Sequence, residues 1–143
     1  MANIIGAGGK FPESQEKSSP LRVLIVDDEA LIRWSIVQTL NDSGYETKEA
    51  MDAAGALRAV RESPQPFDVA FLDLRLPDSK DLGLLSEVRR LTPSTQVILM
   101  TAYGTPEVVE GAIDLGAFRV VGKPLEMGDI TALVANASLA RAN

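Results

Sequence analysis

From residue 21 onward, short apolar runs alternate with stretches whose apolar residues recur at helical spacing. Residues 21–26 form a run suited to a strand buried on both faces. Within 29–40, Leu31, Ile32, Ile36, Val37 and Leu40 recur at helical spacing, in a helix that ends near Gly44. Residues 45–49 read as a second, more polar strand, suited to a sheet edge. Asp52 caps a helix over 53–61, and Pro64-Gln65-Pro66 breaks the pattern after it. A third strand follows at 68–72, then a helix over 82–91 with Asp81 as its cap. The fourth strand is expected at 95–100. The fourth helix, 106–115, has Thr105 as cap and Pro106 in its first position. A fifth strand at 117–121 and a last helix at 127–141 complete the series. Five strands alternating with helices imply a parallel α/β sheet with right-handed crossovers and helices on both faces.

Residues 1–20 are rich in Gly, Ser, Pro, Lys and Glu and lack apolar periodicity, so they read as a flexible leader. Residues 21–139 are then the folded domain, and 140–143 a tail or the start of a linker to an output domain that is not in this chain. In the leader, Gly8-Gly9-Lys10 runs into Phe11, and Ile4 stands where a phosphate loop needs its first glycine; the P-loop pattern is absent. A length of 143 residues fits one domain able to bury its own core. With 45% apolar and 24% charged residues the composition is that of an ordinary soluble globule. The absence of Cys excludes disulfides and thiol chemistry, and the absence of His excludes a Ser-His-Asp triad. A net charge of −6 argues against a nucleic-acid surface. No run approaches a membrane span, and residues 1–9 have no basic region ahead of an apolar core, so neither a membrane partner nor a signal peptide is expected.

Four polar islands follow the apolar runs: Asp27-Asp28-Glu29, Asp73, Thr101-Ala102 and Lys123-Pro124. In a parallel sheet the carboxyl ends of the strands share one edge, so these islands converge. Carboxylates hold a hard divalent cation such as Mg²⁺, and a hydroxyl and an ammonium each take a phosphate oxygen. One carboxylate is left to attack phosphorus. Asp27 and Asp28, facing Asp73, are read as metal ligands, because carboxylates so close repel without a cation between them. Glu29 is read as a helix cap suited to the dipole.

The set resembles the receiver domain of two-component response regulators. The motifs that carry the likeness are Asp27-Asp28, Asp73-Leu74-Arg75-Leu76-Pro77, Met100-Thr101-Ala102 and Gly122-Lys123-Pro124. Tyr103-Gly104 and Gly116-Ala117-Phe118 are similar to receivers of the nitrogen-regulator type, which precede sigma-54-dependent ATPase domains. The resemblance implies a doubly wound, flavodoxin-like (CheY-like) α/β fold with five helices and strand order 2-1-3-4-5. It implies that Asp73 accepts a phosphoryl group from a sensor histidine kinase, assisted by Mg²⁺. The metal shell would comprise Asp27 or Asp28 or both, Asp73, the backbone carbonyl of Arg75, and water. Thr101 would be the switch hydroxyl. Lys123, aimed by a cis bond to Pro124, would be the amine that neutralises the phosphoryl oxygens together with Mg²⁺. The fourth helix, fifth strand and fifth helix would present the surface that meets an output domain or a second copy. Transcriptional regulation in the cytoplasm is the expected outcome, with no direct contact to nucleic acid by this chain.

The chain departs from the family pattern in places. Val120 stands three positions before Lys123, where many receivers have Tyr or Phe. Phe118 is expected to share its face and to serve packing. Asp81 replaces a frequent glycine. Arg75 and Tyr103 flank the site entrance and are expected to influence how fast water reaches the acyl phosphate. The final helix, helix-compatible through 137–141, favours a fragment cut at a linker over a stand-alone receiver. Three other classes fit less well. A degenerate receiver would lack an Asp or Lys of the set. An aspartyl phosphohydrolase wants a second acid where Arg75 stands. A nucleotide-binding fold needs glycines where Asp27-Asp28 stand.

Overall fold

The computed structural model describes residues 20–142. The leader, apart from Pro20, lies outside the described residues, and so does the segment at Gly8-Gly9-Lys10. The chain alternates strand and helix throughout: β1 (Arg22–Val26), α1 (Ala30–Asp42), β2 (Glu46–Ala50), α2 (Ala53–Glu62), β3 (Val69–Asp73), α3 (Gly83–Leu91), β4 (Gln96–Thr101), α4 (Pro106–Asp114), β5 (Arg119–Gly122) and α5 (Met127–Ala142). The five strands are all parallel, in the order β2-β1-β3-β4-β5. This is the doubly wound, flavodoxin-like order. The polar strand β2 sits at an edge, where only Ala50 of its five residues is buried. The last helix shows no break at residue 139 and runs on to Ala142.

Each sheet face has its own core. On one, Leu24, Val26, Ala70, Leu72, Val97 and Leu99 meet α2, α3 and α4 through Ala56, Val60, Leu85, Val88 and Ala112. On the other, Val23, Ile25, Val69, Phe71, Ile98 and Met100 meet α1 and α5 through Ile36, Leu40, Ile130 and Val134. Alternate residues of the central strands thus serve opposite cores, which is why these strands are apolar without interruption.

The ends of the helices follow local chemistry. Asp52 accepts from the Gly55 N–H at 2.7 Å, and Thr105 from the Val108 N–H at 3.3 Å, as their sequence positions imply. The expected cap at Asp81 is corrected: α3 starts at Gly83 with Leu82 in the N-cap position and no side-chain capping bond, while Asp81, one residue earlier, accepts from the Gly83 N–H at 2.8 Å in the turn before the helix. Gly44 and Gly116, with φ of +89° and +99°, stop α1 and α4 in a conformation that side chains resist.

One packing expectation is corrected. Phe118 packs with the α1–α5 core, whereas Val120 packs with the opposite core. Strand pleating begins only at Arg119, so the period of two does not extend back to Phe118.

Candidate functional site

The carboxyl ends of the strands carry the polar islands, and backbone hydrogen bonds set each one in place. The Asp27 N–H donates to the Ala50 carbonyl at 3.1 Å, the Leu74 N–H to the Met100 carbonyl at 2.9 Å, and the Lys123 N–H to the Thr101 carbonyl at 2.9 Å. Asp73 and Thr101 are the last residues of β3 and β4, paired in the ladder with Met100 and Gly122. The peptide bond between Lys123 and Pro124 is cis, as the resemblance implies.

Asp27 and Asp73 are buried and Asp28 is exposed. One carboxylate oxygen from each lies within 4.8 Å of the others. The Lys123 ammonium reaches into this group: it stands 3.0 Å from Asp73 Oδ2, 2.9 Å from Asp27 Oδ2 and 3.5 Å from Glu29 Oε1. The contact with Asp73 is a hydrogen bond. The contact with Asp27 is an ion pair without hydrogen-bond geometry, so buried Asp27 Oδ2 has no hydrogen-bond partner among the described residues. The other oxygen, Asp27 Oδ1, accepts from the Glu29 N–H at 2.8 Å. Asp73 Oδ1 accepts from the Arg75 N–H at 3.1 Å.

The titration of the group follows from this crowding. The Asp73 carboxyl is raised above its ordinary value, first by burial and then by the nearby charge of Asp27, against the opposing pull of Lys123 and the Arg75 N–H. Burial is also the largest influence on Lys123 and would lower it, but the two aspartates outweigh burial and hold it above the usual lysine value. One ammonium between two buried carboxylates leaves an excess of negative charge, which favours the protonated forms of Asp73 and Lys123.

A cleft of about 370 Å³ opens over the cluster, lined by Asp28, Glu29, Asp73, Arg75, Thr101, Ala102 and Lys123. A wider cleft of about 540 Å³ lies at the β2 edge between α2 and Arg33. Its lining mixes Lys48 and Arg58 with Glu49 and Glu62 and gathers no set of like donors, so the smaller cleft is the chemical one. The donor set there suits a hard cation: all-oxygen ligands, and one buried carboxylate oxygen without a hydrogen bond. These residues fit Mg²⁺.

Every site residue read from the sequence reaches this edge. Buried Thr101 turns its hydroxyl oxygen toward the Tyr103 N–H, 3.1 Å away. Glu29 is a correction: it holds the N-cap position of α1 but makes no capping bond, and its carboxylate turns to Lys123 instead. Its extra methylene suits it poorly for capping, and the Asp27 carboxylate, which accepts from the Glu29 amide, closes the turn ahead of the helix rather than capping it. Sequence reasoning missed two contributors. Arg33 donates to the Asp27 carbonyl at 2.6 Å and pairs with Glu49 at 2.9 Å. Asp78 accepts from the Ala53 and Ala54 N–H groups at 2.8 and 3.0 Å. Helical periodicity offers one clue to Arg33, a charged side chain beside the buried stripe of α1. No pattern pairs Asp78 with α2.

A parallel five-stranded α/β sheet with three aspartates, a hydroxyl and an amine at its carboxyl edge defines a phosphoryl-handling class of protein. Residues 23–135 match the family model for the response regulator receiver domain, and the chain belongs to that family. It is 35% identical over 116 residues to the response regulator protein PilR of Pseudomonas aeruginosa, covering 81% of this chain and 26% of that protein. It is 32% identical over 110 residues to sporulation initiation phosphotransferase F of Bacillus subtilis, covering 76% of this chain and 86% of that one. The receiver domain of NtrX from Brucella abortus superposes with a TM-score of 0.73 at 32% identity, over 82% of this chain and 98% of that one. A CheY-like receiver from Methanospirillum hungatei superposes with a TM-score of 0.81 at 29% identity, over 87% and 98%. The chain spans about a quarter of the length of PilR and of the NtrX-like regulators it matches. It is a receiver domain of two-component response regulators, a family switched by phosphorylation and paired with histidine kinases. No helix among the described residues is long and apolar enough to cross a membrane.

Proposed function

We propose that Asp73 is the phosphoacceptor of this receiver and that a sensor histidine kinase is the donor. The observation that carries the reading is Asp73 at the end of β3, hydrogen-bonded to Lys123 at 3.0 Å and within 4.8 Å of two further aspartates. In the transfer, an Asp73 oxygen forms a bond to phosphorus while the P–N bond of the donor phosphohistidine breaks. The electron pair of that bond leaves with the imidazole nitrogen. Lys123 exchanges its bond to Asp73 Oδ2 for one to a phosphoryl oxygen, and most of the catalytic work is positioning and charge neutralisation. Asp27, Asp28, Asp73 and the Arg75 carbonyl would hold Mg²⁺, which supplies charge neutralisation at the phosphoryl oxygens when bound.

Thr101 then donates its hydroxyl to another phosphoryl oxygen. Turning inward, it gives up the bond it now accepts from the Tyr103 N–H, which frees the segment leading into α4. That change reaches α4, on which Ile113 is exposed, and through it the face formed by α4, β5 and α5. An output domain or a second copy of the chain meets this face, and transcriptional regulation is the proposed outcome. The chain has no substrate beyond its phosphoryl donor. It catalyses only its own phosphorylation and dephosphorylation, in the cytoplasm, with no direct contact to nucleic acid or membrane.

The test is intact mass after incubation with acetyl phosphate, with and without Mg²⁺, on the natural chain and on Asp73→Asn. A Mg²⁺-dependent gain of one phosphoryl group, absent from the variant, supports the reading. A gain that survives in Asp73→Asn moves the acceptor elsewhere, and no gain at all sinks the proposal.

A further inference from the structure

We propose that Asp78 is a positioning residue for the metal site: its carboxylate fastens the connection after β3 to the first turn of α2, and so fixes where the Arg75 carbonyl sits. The inference rests on the metal reading of the acidic cluster given above.

The helix does not need Asp78 in order to start. Asp52 already caps α2 from its own N-cap position. Asp78 adds a second carboxylate from a different part of the chain, and both of its oxygens are used, on the Ala53 and Ala54 N–H groups. Those bonds, the one to Ala53 foremost, hold the Asp78 carboxyl below the usual carboxylate range. The partner they grip is firm, because Ala53, Ala56 and Val60 of α2 are buried in the core.

The gain therefore falls on the loop rather than on the helix. Between Asp73 and Asp78 the chain is held at its start by the Leu74 amide, which donates to the Met100 carbonyl at 2.9 Å. It is held midway by Leu76, whose side chain is buried and whose N–H donates to the Ser79 carbonyl at 2.8 Å. Arg75 lies between these anchors with its side chain exposed. Nothing of its own side chain fixes its carbonyl, so the downstream anchors do. Of the downstream hydrogen bonds, the one at Leu76 closes within the loop, and those of Asp78 reach a different element. Groups that orient a metal's ligands without touching the metal shift its affinity strongly.

Asp52→Ala serves as a matched control. It removes the same charge and a capping bond from the same helix but leaves the loop fastened. Calorimetric titration of the full chain with Mg²⁺ alone, at a temperature where circular dichroism shows every variant folded, separates the two roles. Asp78→Ala is expected to bind about tenfold more weakly, with Asp52→Ala within about twofold of the natural chain and Asp78→Asn, which retains one acceptor oxygen, in between. Should Asp78→Ala not fold, the comparison of Asp78→Asn with Asp52→Ala separates the two roles in the same way. Equal losses in both alanine variants, or no loss in either, would reduce Asp78 to a helix cap and overturn the inference while leaving the metal reading intact. Failure of the natural chain to bind Mg²⁺ would overturn the metal reading and this inference with it.

Discussion

Two aspartates five residues apart, one ending β3 and one on the connection after it, behave in opposite ways. Asp73, at the buried strand end, is pushed above its ordinary carboxyl value of 3.8, while Asp78, on the exposed loop, is drawn below it. The side chain is the same; the surroundings differ in what they offer a negative charge. Asp73 has lost water and faces another carboxylate, with one shared ammonium as relief. Asp78 keeps water and gains two backbone N–H groups. Folding disfavours the charge at the first site and favours it at the second. The carboxylate whose charge is disfavoured is the proposed phosphoacceptor, and the satisfied one is the proposed anchor of the loop beside it.

Asp73→Asn should break this contrast most completely. Phosphorylation by acetyl phosphate should vanish while the circular dichroism stays native. Because the folded chain raises Asp73, the stability linked to it is present below the unfolded value and is lost as pH rises through the raised one. Urea unfolding in EDTA should therefore find the variant more stable than the natural chain at neutral pH, with the advantage fading in acid. A variant weaker at neutral pH would mean that the bond to Lys123 outweighs the cost of burial.

Lys123→Ala should come next, since it leaves Asp27 and Asp73 without their shared cation. A loss of about 2 kcal/mol is expected in EDTA, below the full cost of breaking a buried pair because the cleft is open to water. Mg²⁺ should recover part of it, and unfolding curves with no Mg²⁺ dependence would contradict the role given to the acids.

Asp78→Ala should cost about 1 kcal/mol through loss of the two hydrogen bonds that tie the loop to α2. Its pH course should mirror that of Asp73: the contribution is present above the unfolded value and disappears as pH falls through the depressed one. A difference from the natural chain that persists unchanged well into acid would mean the two hydrogen bonds do not matter. Glu29→Gln should have the smallest effect, at most about 0.5 kcal/mol, since this side chain is largely exposed and its approach to Lys123 is long. Thermal unfolding at low and high salt checks it.

Much of this is legible in the sequence, for an identifiable reason. Apolar runs mark the strands, and in a parallel sheet the residue after each run must fall at one edge, so Asp27, Asp73, Thr101 and Lys123 can be placed together. The strand ends are less legible. Asp73 and Thr101 belong to the ladder itself, because pairing is made by amides and carbonyls that ignore side-chain polarity. A period of two puts Phe118 on the wrong face when it is carried back into a residue that is not yet pleated. Glu29 reads as a cap because acids near a helix start usually serve the helix, and a lysine distant in sequence draws it away. The Asp78 bond joins side chain to backbone across two elements, and periodicity carries no trace of such a pairing.

The amides that set the site in place have a bearing on how the sequence can drift. The anchors at Asp27, Leu74 and Lys123 are main-chain groups bonded to neighbouring strands. Such bonds place no demand on side-chain identity beyond forbidding proline. Lineages can therefore replace the apolar residues beneath the site, volume for volume, without moving the polar groups at the sheet edge. At Leu74 in particular, a library of random substitutions should lose proline first. Its remaining preferences would report the burial of the side chain rather than the needs of the chemistry.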